Sequence, residues 1–148
     1  MVTLTLLKFS VQINASKDKV WDALWSDVSY RQWTDAFSPG SYAESDWKEG
    51  SKIKFLTSEG DGMFSVIETK KPNDQMTFRH LGTILKGKEQ PKSKESEDWE
   101  GAKESYFLSE NDGITELNVE VDVTNQYQEY FNKTFPKALE IVKKIAEQ

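Results

Sequence analysis

The chain of 148 residues contains no cysteine. That absence removes disulfide frameworks, thiolate metal sites, redox pairs and cysteine nucleophiles together. It contains a single histidine, His80, and neither an HExxH pair nor a calcium-loop spacing, so no metal is expected. Basic residues are in deficit, 19 Lys and Arg against 25 Asp and Glu for a net charge of −6. A nucleic-acid partner is therefore not expected, because neutralising phosphates needs a basic face. No window approaches the ~20 apolar residues of a membrane-spanning helix. The opening MVTLTLLKFSVQI alternates instead of following a secretory leader's pattern, so a cytoplasmic protein without membrane insertion is the expectation. Phosphate-cradling glycine loops and the GxSxG elbow are also missing; the Gly60-Asp61-Gly62 run is turn chemistry, and no cofactor is expected.

What the chain has is aromatic bulk, with 5 Trp, 5 Tyr and 8 Phe. At this length one domain over residues 1–148 can bury roughly two-thirds of its unfolded surface. From Thr3 to Ile13 the apolar positions Leu7, Phe9, Val11 and Ile13 alternate with Lys8, Ser10 and Gln12, which predicts a half-buried strand. Val20, Trp21, Leu24 and Trp25 then recur at helical spacing over Lys17 to Trp25, and Ser29 to Trp33 reads as a second brief helix. Six further strands are predicted: Tyr42 to Asp46, Ile53 to Thr57, Met63 to Thr69, Met76 to Ile84, Lys103 to Ser109 and Thr115 to Val123. Turn residues separate most of them. The segment from Lys86 to Gly101, dense in Lys, Glu and Ser around a lone Trp99, reads as a solvated loop or mobile lid.

Gln126 to Gln148 carries a wide apolar stripe at helical period, including Tyr127, Tyr130, Phe131, Phe135, Leu139 and Val142. Pro136 falls inside it and predicts a kink or a helix restarted there. A curved antiparallel sheet gripping one long helix satisfies this order with short connections. Such a sheet does not close flat along the whole helix, and the gap is a place for a small apolar ligand.

INASKDKVWDAL (Ile13 to Leu24), the Gln32-Trp33 pair and DWKEGSKIKF (Asp46 to Phe55) resemble the START-like, birch-pollen-allergen-like superfamily. Within it the chain is similar to the group typified by the C-terminal domain of the activator of heat-shock-protein-ninety ATPase. The Gly62 strand, the Pro72 to Met76 turn and strand entry, TELNVEVDV (Thr115 to Val123) and FPKALEIVKK (Phe135 to Lys144) extend the resemblance over nearly the whole chain. It implies an α+β helix-grip fold: a curved seven-stranded antiparallel sheet wrapped around a long C-terminal helix, with two short helices after the first strand and an internal pocket. It also implies a chaperone as one partner class. Family members include lipid carriers, hormone receptors, cyclases and co-chaperone domains, so the resemblance specifies fold far better than role.

His80 shares strand parity with Met76 and Phe78, and Glu104 with Tyr106 and Leu108. If those strands are neighbours, His80 and Glu104 form an acid–base or ligand-orienting pair, with buried structural roles as the alternative. Arg79 has the opposite parity and is expected to meet solvent or a surface carboxylate. Trp21 and Trp25, four apart on a helix, read as core. Trp33 is expected at the pocket mouth, and Trp99 at the cavity entrance or as a loop anchor. Phe78 and Tyr106 complete the expected lining on the sheet side, with His80, Glu104, Tyr106 and Trp33 orienting polar groups; Tyr127, Tyr130, Phe131 and Phe135 line it from the long helix, each with core packing as its alternative. The first expectation is a small hydrophobic or amphipathic ligand held in this cavity, the protein being a monomer or weak homodimer. A chaperone-associated interaction module is the second. A cyclase- or hydrolase-like enzyme using His80 and Glu104 is the third.

Overall fold

Period-two alternation builds a sheet from the two ends of the chain inward. In LTLLKFSVQI the residues Leu7, Phe9, Val11 and Ile13 turn toward the core while Leu6, Lys8, Ser10 and Gln12 are exposed. The computed structural model describes residues 4–148; the expected strand start at Thr3 lies outside the described residues. The chain runs β1 (Leu4–Ile13), α1 (Lys17–Trp25), α2 (Asp27–Thr34), β2 (Tyr42–Glu44), β3 (Lys52–Leu56), β4 (Gly62–Lys71) and β5 (Gln75–Leu85). It continues through β6 (Lys88–Glu89), the helical turn α3 (Lys94–Glu97), β7 (Lys103–Asn111), β8 (Ile114–Thr124), a 3-10 turn (Asn125–Tyr127) and α4 (Gln128–Ala146). All pairings are antiparallel. The sheet order is β1-β8-β7-β5-β4-β3-β2, with β6 beside β5 off that path. This is the α+β helix-grip architecture: α4 lies along the sheet, with α1 and α2 packed beside it.

The core is aromatic. Trp25 sits at its centre, its ring 4.9 Å from Tyr106, 5.4 Å from Phe78 and 6.2 Å from Trp33, all edge-on. Edge-to-face contact is what the ring quadrupole favours, so these pairs add stabilisation beyond their buried area. Phe135 of α4 stacks on Phe9 of β1 at 4.9 Å and ties the helix to the sheet edge.

Two bulges shape the sheet between β4 and β5. Phe64 pairs with Gly82 and Ser65 with His80, leaving Leu81 as an extra residue; Ile67 pairs with Phe78 and Thr69 with Thr77, leaving Glu68 extra. A bulge bends its strand and re-aims the flanking side chains. Past Leu81 the parity of β5 therefore flips, so that both His80 and Thr83 stand on the inner face. Gly82 lets the Phe64 ring lie across the strand, since a Cβ there would stand 2.6 Å from that ring and would push it aside.

Three sequence expectations change. The second helix is two full turns, Asp27–Thr34, not a single turn. α4 passes through Pro136 as one element and does not restart there, because Phe135, Ala138, Leu139 and Val142 on both sides of the proline are buried on the same face. The Lys86 to Gly101 segment is not wholly solvated loop: β6 pairs with Ile84 and Leu85, α3 forms a turn with Ser96 buried, and Gly101 N donates to His80 O at 2.8 Å.

Candidate functional site

Between the inner face of the sheet, α2 and the N-terminal half of α4 lies a cavity of about 430 Å³. Its walls come from every layer. α2 supplies Tyr30 and Trp33, β3 Phe55, β5 His80 and Thr83, β7 Glu104 and Tyr106, β8 Val121 and Val123, and α4 Phe131 and Phe135. The surface is mainly apolar and aromatic, which is the usual chemistry of a small-molecule cavity.

Sheet register explains its one polar wall. Phe78 is paired with Glu104 and Met76 with Tyr106, so the inward row of β5 lies beside the inward row of β7. His80, two residues beyond Phe78 on the same face, is the diagonal neighbour of Glu104. Its Nε2 lies 3.3 Å from Glu104 Oε1. On its other side Nδ1 lies 2.7 Å from Ser65 Oγ, Ser65 being directly opposite His80 on β4. The Tyr106 hydroxyl donates to the second Glu104 oxygen. The direction of the Ser65–His80 hydrogen bond follows the imidazole tautomer, and Nε2 faces the Glu104 carboxylate. Ser65, His80, Glu104 and Tyr106 thus form one contiguous polar relay.

Burial grades this relay. Ser65 and Tyr106 have no solvent exposure and His80 is 8 % exposed, whereas Glu104 is only partly buried. Burial, and after it the charge of Glu104, holds the Tyr106 and Tyr30 phenols well above their ordinary value. Both stay protonated across the neutral range. Thr124, another buried residue of the wall, has no hydrogen-bond partner for its Oγ1 among the described residues.

The structure brings most of the expected site residues to this cavity. His80, Glu104, Tyr106, Tyr127, Phe131, Phe135, Trp33 and Trp99 all line it. Phe78 does not: it is fully buried, packed edge-on against Phe55 at 5.1 Å and Trp25 at 5.4 Å, and its inward side chain meets rings instead of open volume. Trp33 is a buried wall residue and not a mouth residue, because its Nε1 donates to Leu24 O at 2.9 Å and draws the indole inward. Exposed aromatics at the wall are Tyr127 and Tyr130, the latter hydrogen-bonded to Phe37 O at 2.6 Å. Arg79 faces away and pairs with Glu68 at 3.3 Å. Trp21, Trp25 and Trp47 flank a separate cleft of about 230 Å³. Sequence reasoning missed Ser65 and Tyr30. The available signal for Ser65 was its parity with Met63 and Ile67, a small polar residue on an otherwise apolar inward row.

Elements, order and cavity together define a helix-grip fold. Solved structures of the same fold include the Aha1 dimer from Colwellia psychrerythraea, at 20 % identity and a TM-score of 0.73, covering 97 % of this chain and 96 % of that one. ChR145 from Cytophaga hutchinsonii is 22 % identical with a TM-score of 0.69, covering 99 % and 97 %. CalU16 from Micromonospora echinospora is 17 % identical with a TM-score of 0.68, covering 97 % and 76 %. At these identities the likeness establishes the fold. No family model matches the sequence, and no curated protein matches it. Among the described residues no helix is long and apolar enough to cross a membrane.

Proposed function

We propose that this protein binds a small hydrophobic or amphipathic molecule in the cavity between the sheet and α4, acting in the cytoplasm. The observation that carries the reading is an open volume of about 430 Å³ with aromatic walls and a single buried polar relay. Apolar burial supplies much of the affinity: about 300 Å² at ~25 cal/mol per Å² is worth about 7.5 kcal/mol, which corresponds to micromolar binding before ordering costs are subtracted. Native mass spectrometry of protein purified without organic solvent, beside a denatured control, tests this directly. A discrete extra mass lost on denaturation is expected, as is saturable one-to-one binding of a neutral apolar fluorescent probe. Bare polypeptide that also fails to bind the probe would overturn the reading. The chaperone-associated alternative puts the working surface outside and fills the cavity with side chains, so the open volume supports the ligand reading over it.

One observation favours a second reading. His80 and Glu104 are within 3.3 Å at the cavity wall, the reach an acid–base pair needs. If the protein is a cyclase- or hydrolase-like enzyme, incubation of the co-purified molecule with the wild type changes that molecule's mass, and His80→Gln abolishes the change. An unaltered ligand mass with the wild type identifies a carrier.

A further inference from the structure

We infer that the cavity selects a neutral or cationic aromatic molecule that presents a hydrogen-bond donor to Glu104, and rejects anionic ligands such as carboxylates. This rests on the cavity reading above and adds the chemical class of the occupant.

The argument follows the charges on the wall. Among the described residues, His80, Lys103, Glu104 and Asp122 are the wall residues bearing an imidazole, ammonium or carboxylate. Lys103 offers nothing to a ligand, because its Nζ pairs with Glu68 at 3.0 Å on the outer side of the sheet, where Glu68 also meets Arg79. His80 has Nδ1 taken by Ser65 at 2.7 Å, and its Nε2 stands 3.3 Å from Glu104 Oε1, so an anion approaching Nε2 meets that carboxylate as well. An anion entering the cavity therefore finds no free cationic partner there. It finds instead the carboxylate of Glu104, since Asp122 alternates with the inward Val121 and Val123 and turns its own carboxylate to Lys103 N at 2.9 Å; in a partly buried space like charges repel more strongly than in water.

A donor finds the opposite. Each carboxylate oxygen has about two lone-pair sites. Glu104 accepts from Tyr106 at Oε2 and has His80 Nε2 beside Oε1, which leaves at least one lone-pair site free on each oxygen. Its side chain is 24 % exposed, so those sites are reachable from the cavity. A hydroxyl, phenol or ammonium group meeting them makes a charge-assisted hydrogen bond, stronger than a neutral one. The rings of Tyr30, Trp33, Phe55 and Phe131 around the same space give an aromatic body edge-on and offset contacts.

A ligand ladder with one constant body tests this: naphthalene, naphthol and naphthoate, titrated calorimetrically into the full chain at neutral pH. The expected order is naphthol tightest, by about tenfold over naphthalene and by more over naphthoate, with the preference lost in Glu104→Gln. Naphthoate binding as tightly as naphthol, naphthalene equalling naphthol, or a preference unchanged in Glu104→Gln would each overturn the inference while leaving the cavity reading standing. No binding by any of the three would overturn the cavity reading and the inference with it. The wild-type ladder decides the matter alone should Glu104→Gln fail to fold, which near-ultraviolet circular dichroism detects.

Discussion

Ser65 has no solvent exposure, and its hydroxyl is the partner of His80 Nδ1. Replacing it with alanine leaves a buried ring nitrogen without a partner, and such orphaned groups cost about 1–3 kcal/mol. Ser65→Ala is therefore expected to lower the unfolding free energy by that amount, read as a lower urea midpoint at unchanged slope, since the fold itself survives. An unchanged midpoint would mean that the hydroxyl plays no part in holding the imidazole. The three members of this relay that the sequence brought out, His80, Glu104 and Tyr106, lie on adjacent strands, and parity alone sets which face each occupies. The inward parity of Ser65 could be read, but its pairing with His80 could not, because it depends on the bulge at Glu68 between this pair and the hairpin turn, and a one-residue insertion shifts every pairing beyond it. Phe78 and Trp33 show a different limit. Alternation says that a side chain points inward; whether it meets a void or another ring depends on where α2 and Trp25 settle, which is a property of tertiary packing.

α4 carries Pro136 in its interior, eight residues after its start at Gln128. The ring there removes a donor to Asn132 O and crowds that carbonyl, a penalty of about 3 kcal/mol in a regular helix, partly offset by the reduced freedom of the unfolded chain. Pro136→Ala is expected to raise stability by about 2 kcal/mol, read from urea unfolding monitored by circular dichroism. A loss of stability would show that the proline ring contributes more through packing or unfolded-chain restriction than its missing donor costs. Elements with strong periodicity were legible, and β1, β5, β8 and α4 stand close to where alternation and the helical stripe put them. The short pieces β6 and α3 were not. Lys88 and Glu89 have no apolar pattern to read; they pair only because the adjacent backbone of Ile84 and Leu85 is available, with Gln90 N donating to Thr83 O and Gly87 N to Gly60 O at 2.9 Å each. Structure imposed by a neighbouring edge leaves no mark in local composition.

The two phenols buried beside Glu104 couple the whole molecule to alkaline pH. Tyr30 and Tyr106 ionise near pH 10 in the unfolded chain and well above it in the native state, chiefly through burial. Above pH 10 the unfolded chain has shed these protons while the native protein still holds them. The unfolded state then binds fewer protons than the native one, so stability falls as pH rises. The contribution is fully present below pH 10 and is lost progressively above it, at about 1.4 kcal/mol per pH unit for each phenol and about 2.7 for both. Lys17, raised by its hydrogen bond to Asp74, moves in the same direction at the surface and adds little. Urea unfolding through this range is expected to show that slope, and Tyr106→Phe or Tyr30→Phe to halve it. Tyrosinate absorbance of the native protein should lag behind that of the urea-unfolded chain over the same interval. A flat stability profile, with all five tyrosines ionising together near pH 10, would mean that water reaches both phenols and that the polar wall of the cavity is open to solvent.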